Sequence, residues 1–78
     1  MPNDLRRAVA LLGKGEWRAA HEIVQADEDS RLSCWAHAIV HLMEGDLPNA
    51  RYWLRRAGRA FTDDAAAELA ALSEALRR

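Results

Sequence analysis

Cys34, His37, His41 and Glu44 follow one another at intervals of three, four and three residues, a spacing that places all four side chains on one face of a helix. His37 and His41, one turn apart, can offer ring nitrogens to a shared metal ion, and His21 or Glu22 from the preceding helix can supply a third ligand. Seven residues of helix rise about 10 Å, which is too far for Cys34 and His41 to meet at one ion. The candidate ligand set is therefore His21, His37 and His41. Three protein ligands suit a zinc ion that keeps a position open for water, as in a metal-binding protein or a metal-dependent hydrolase. The competing account makes the histidines partly buried neutral groups, bonded to carbonyls, Glu44 or Asn49. Under both accounts stability is expected to fall below about pH 6, because protonating packed histidines is costly.

No other constellation predicts catalysis, and the chain is not expected to be an enzyme. It contains no glycine-rich phosphate loop and no nucleophile elbow, and Ser33 and Ser73 fall on expected surface positions of helices. A cysteine inside a buried helix is ordinarily inert, so Cys34 is not expected to act with His37 as a thiolate pair. No cofactor is implied. Arg51, Arg55, Arg56 and Arg59 form a basic face with Tyr52 and Trp53 between them. Arginine beside aromatic rings is also how phosphates and unpaired bases are held. Residues 16–30 carry five acids against one arginine, however, and pairing between the two surfaces explains the segregation without nucleic acid.

The elements that must position these residues are helical. Asn3 or Asp4 can cap a first helix ending near Leu12, before Gly13-Lys14-Gly15. A second helix is expected from Glu16 to about Ala26, followed by the polar loop Asp27-Glu28-Asp29-Ser30, whose serine caps a third helix, Arg31 to Glu44. Gly45 ends that helix and Asp46 caps a fourth, with Pro48 tolerated in its first turn and Gly58 as its stop. Thr62 is the expected cap of a last helix through Leu76. No segment alternates with a period of two, so no strand is predicted.

At 78 residues the chain is one domain, close to the size below which one core rarely suffices. Its sixteen alanines favour helix but fill little volume, so Trp17, Trp35 and Trp53 must supply much of the buried area. A formal net charge of -1 gives no general attraction to nucleic acid or to an acidic membrane. The single cysteine excludes an internal disulfide. With no secretory signal and no membrane-length apolar run, a cytoplasmic setting without a membrane partner is the expectation.

Gly15-Glu16-Trp17-Arg18-Ala19-Ala20 and Gly45-Asp46-Leu47-Pro48-Asn49-Ala50 repeat at an offset of thirty residues. Around them Ala8 aligns with Ala38, Val9 with Ile39, Leu12 with Leu42, Ala20 with Ala50 and Val24 with Leu54. This helix, glycine turn, helix unit resembles the tetratricopeptide repeat over about residues 5–60. The second hairpin also resembles a group of small uncharacterised bacterial proteins through Trp35, His37, His41, Glu44-Gly45-Asp46, Asn49-Ala50-Arg51-Tyr52-Trp53 and Arg55-Arg56-Ala57-Gly58. The expected fold is thus all-α: hairpins over about 4–26 and 31–59, stacked and covered by a capping helix over about 62–76.

Tetratricopeptide repeats mostly bind proteins or peptides in a groove lined by the first helix of each hairpin. The resemblance carries that role to Leu5, Val9, Leu12, Trp35, Ile39, Leu42 and Met43. Such an apolar face is a peptide groove, a self-association surface that makes a homodimer, or core beneath the final helix, whose stripe of Ala65, Leu69, Leu72 and Leu76 is narrow. The expected function is a protein-interaction module that self-associates, with metal binding through His21, His37 and His41 as the alternative.

Overall fold

Short-range capping chemistry marks where three of the helices begin. The computed structural model describes residues 2–78, with side chains from Asp4 onward. It contains five helices: α1 (Pro2–Gly13), α2 (Trp17–Val24), α3 (Arg31–Glu44), α4 (Leu47–Arg56) and α5 (Ala65–Arg77). No strand occurs among the described residues. Ser30 and Asp46 are the N-caps of α3 and α4, accepting the backbone N–H groups of Ser33 and Asn49. Both satisfy amides that the first turn leaves without partners.

Three boundaries differ from expectation. α1 begins at Pro2, so Asn3 and Asp4 lie within its first turn rather than capping it. α2 stops at Val24 because the Asp27 carboxylate accepts the N–H groups of Asp29 and Ser30, pulling the chain into a turn before α3. The cap of α5 is Asp64, whose carboxylate accepts from Ala67, while the Thr62 hydroxyl accepts from Asp64 itself. A carboxylate is also the better partner for the positive end of a helix.

The sequence repeat is a repeat of backbone geometry. Gly15 and Gly45 both adopt positive φ, 78° and 88°, a conformation that costs any residue with a Cβ roughly 1–2 kcal/mol. In each case the following amide turns back onto the carbonyl five residues earlier, Glu16 onto Leu11 and Asp46 onto His41. The helix is thereby closed and the next one launched. The aligned pairs Ala8 and Ala38, Leu12 and Leu42, Ala20 and Ala50, and Val24 and Leu54 are all buried. Small side chains at these positions let neighbouring helices approach closely.

Packing is organised around α3. It touches α1, α2, α4 and α5, whereas α4 meets neither α1 nor α2 nor α5 through its helical body. Every residue of α3 from Ser33 to Leu42 is buried. α5 is fastened by a buried polar junction: Trp35 Nε1 donates to Glu68 Oε1 at 2.9 Å, and Arg59 donates to both Glu68 oxygens at 3.1 and 2.8 Å. The Arg59 guanidinium also lies 4.2 Å from the centre of the Trp35 ring. Glu68→Ala leaves a buried indole N–H without an acceptor and strips Arg59 of its partner. It is expected to destabilise the protein by about 2–4 kcal/mol, read as a lower urea midpoint at unchanged slope. A loss below about 0.5 kcal/mol, the range of a neutral surface substitution, would mean that the leucines of α5 hold it unaided.

Candidate metal centre

The tight turn at Ser30 and the continuous burial of α3 place His37 and His41 on the side of α3 that faces α2, from which His21 projects. The three rings form one cluster, with centroids 4.9 Å apart for His21 and His37, 5.3 Å for His21 and His41, and 5.1 Å for His37 and His41. One nitrogen from each lies within 4.8 Å of the other two. The Nε2 atoms of His21 and His37 are 3.2 Å apart, close to the separation of about 3.3 Å between two ligands on a tetrahedral zinc with bonds near 2.05 Å. Gathering all three onto one ion requires no pair to close by more than about 1.5 Å, which side-chain rotation can supply.

Two neighbours orient the rings. His41 Nδ1 lies 2.8 Å from Glu44 Oε1; a carboxylate can only accept, so Nδ1 is the donor, and it is Nε2 whose lone pair the neutral ring would offer to a metal. A histidine held in this way by a carboxylate is the usual support of a metal ligand. His37 stacks on Trp53 of α4, with centroids 3.9 Å apart and planes 10° from parallel. The other face of the cluster is thus set by α4, and the site draws on three consecutive helices. His41, Glu44 and Asp46 also lie within ligand distance of one another. Both Asp46 oxygens, however, are occupied by the backbone and side-chain amides of Asn49.

His37 is the electrostatic centre of the cluster. Its Nδ1 is buried and has no hydrogen-bond partner. Burial first, then the neighbouring His41 and His21, hold its pKa down at about 4. At neutral pH the ring is therefore uncharged and available as a donor to a metal. With no metal bound, the favourable arrangement has His37 Nε2–H donating to His21 Nε2, so that the orphan Nδ1 is an acceptor rather than a buried, unpaired N–H.

The remaining expectations meet different fates. Leu12, Trp35, Ile39 and Leu42 do not line an open groove: they are buried, and Leu5, Val9 and Met43 pack partly covered against them. The stripe of α5 is wider than Leu69, Leu72 and Leu76 alone, because Ala71 and Ala75 also pack against the core. Leu5 does line a groove of about 550 Å³ with Ile23, Leu32 and Leu76, but none of the histidines reaches it. Ser33, expected at the surface, is buried and donates to the Val24 carbonyl. Cys34 is buried, its thiol pKa raised by that burial, and its Sγ contacts the Glu28 carbonyl at 3.4 Å. Glu22 is exposed and does not join the cluster.

The basic face is divided by the fold. Arg59 belongs to the Glu68 junction, and Arg56 donates to the Tyr52 hydroxyl and to the Glu28 carbonyl. Arg51 covers the Phe61 ring at 4.1 Å. The meeting of α4 with the acidic segment therefore runs through a backbone carbonyl rather than through paired carboxylates. No helix of the described residues is long and apolar enough to cross a membrane. Comparison with protein-family models, curated proteins and solved structures gives no match to this chain.

Because His37 titrates lower in the folded chain than in the unfolded one, the stability linked to it is complete above about pH 6.5. It is lost as pH falls from there towards 4. For metal-free protein the loss is expected to be about 3 kcal/mol over that window, read from urea midpoints at pH 7 and pH 4. His37→Phe, which retains a ring against Trp53, should lose clearly less; an equal slope in both proteins would assign the acid sensitivity to other groups.

Proposed function

We propose that this protein binds a divalent transition metal, zinc before others, through His21, His37 and His41. The observation that supports this reading is the convergence of the three imidazoles, two of them already at tetrahedral ligand separation and one backed by a carboxylate. Imidazole donors favour zinc, copper and nickel over calcium and magnesium, which prefer oxygen. Coordination through His37 Nε2 moves the proton of that ring to its partnerless Nδ1, a cost of about 1–3 kcal/mol. A structural zinc site returns about 10–16 kcal/mol, so the cost lowers affinity without preventing binding. Since the ligands come from α2 and α3, bound metal would tie the first helical pair to the second.

A second reading is a protein-interaction module that pairs with another copy of itself, built on hairpins like those of tetratricopeptide repeats. What supports it is the position of the large apolar side chains that remain exposed: Leu47, Tyr52 and Phe61 all belong to α4 and the segment after it. This surface replaces the α3 face that the core has absorbed.

Metal-free protein titrated with zinc against a chromophoric chelator is expected to bind one equivalent and to melt at a higher temperature. His41→Ala should weaken binding at least about 100-fold and Glu44→Gln about 10- to 100-fold. Undiminished zinc binding in a protein lacking both His21 and His41 would overturn the reading. For self-association, sedimentation velocity should show a concentration-dependent dimer that Tyr52→Glu dissociates; a monomer at all concentrations would remove the second reading.

A further inference from the structure

The cluster brings nitrogen donors only. Among the described residues no carboxylate joins His21, His37 and His41 as a fourth member. Glu44 is turned to the far nitrogen of His41, and both oxygens of Asp46 are held by Asn49. A divalent ion on three neutral imidazoles therefore keeps its whole charge, and a tetrahedral ion keeps one vacant position. In a partly desolvated place that combination draws an anion strongly, since charge interactions strengthen as water is excluded. His37 and His41 are 3% and 8% exposed, whereas His21 is only half-buried. Solvent therefore meets the cluster on its His21 side, the other two rings being buried.

We infer, resting on the metal-binding reading above, that the fourth position of this centre is open to solvent and takes a small monodentate anion in exchange for water. Binding is a simple ligand substitution: a water leaves the ion, the anion donates one lone pair in its place, and no electron is transferred. A macromolecular ligand does not fit here, because two of the three ligand rings, His37 and His41, are buried. The chemical class is therefore a ligand of a few atoms.

The test is cobalt(II) titrated into the metal-free protein, followed by azide, with visible absorption as the readout. One equivalent of cobalt should produce d–d bands, and azide should shift them saturably. Glu22→Gln should retain the shift, because Glu22 is exposed and does not join the cluster. Cobalt bands that azide leaves unchanged in a monomer would overturn the inference while leaving the metal site intact. Unchanged bands in a cobalt-dependent dimer would also overturn it, the fourth donor then coming from a second copy. An azide-sensitive spectrum that survives loss of both His21 and His41 would mean a surface site and overturn it as well. Failure to bind cobalt at all would instead remove the metal reading on which it rests.

Discussion

The whole arrangement depends on the burial of one helix. α3 is in contact with every other helix, and the ten residues from Ser33 to Leu42 are shielded from water. A helix enclosed on all sides satisfies its own backbone, but each polar side chain on it needs a partner from a neighbour. Ser33 finds the Val24 carbonyl, Trp35 finds Glu68, His41 finds Glu44, and His37 finds His21. These bonds radiate from α3 to the end of α2, to α5 and to its own C-terminus. They fix the register of elements whose alanine-rich surfaces would otherwise slide past each other with little change in buried area.

In that network His37 is the one residue left incomplete. Its Nδ1 has no partner, and its ring is held neutral by burial against Trp53 and by two other histidines. An apolar side chain of similar size would fill the same volume against Trp53 without an orphan nitrogen, so packing alone does not account for it. The cost is localised where three imidazoles meet, and such sites are where strained or under-satisfied groups acquire chemical use. The glycine turn at Gly45 contributes as well: it closes α3 directly after Glu44, bringing that carboxylate to His41 and Asp46 to the start of α4.

The thirty-residue repeat and the histidine cluster are separate layers of the molecule. Repeat-matched positions carry the buried alanines and leucines and the two glycine turns. By the same alignment His21, His37 and His41 stand opposite Arg51, Arg7 and Leu11, so none of them repeats. The duplicated unit supplies a scaffold, and the site departs from it.

Much of this was legible along the chain, because helix content, glycine turns and the Ser30 and Asp46 caps are decided by interactions within about five residues. The spacing of His37 and His41 likewise follows from helical periodicity alone. The α3 face stayed open between groove, self-association surface and core because amphipathicity reports which side of a helix avoids water but not what covers it. Ile39, Leu42 and Trp35 read the same in sequence whether a partner or α5 lies over them. By itself the sequence determined five helices, a doubled hairpin and a histidine pair on one helical face. Only the tertiary structure decided that His21 completes a trio, that α5 closes the apolar face through Glu68, and that the buried Nδ1 of His37 has no partner. Each of these depends on how helices far apart along the chain are set against one another, and that is governed by packing rather than by local spacing.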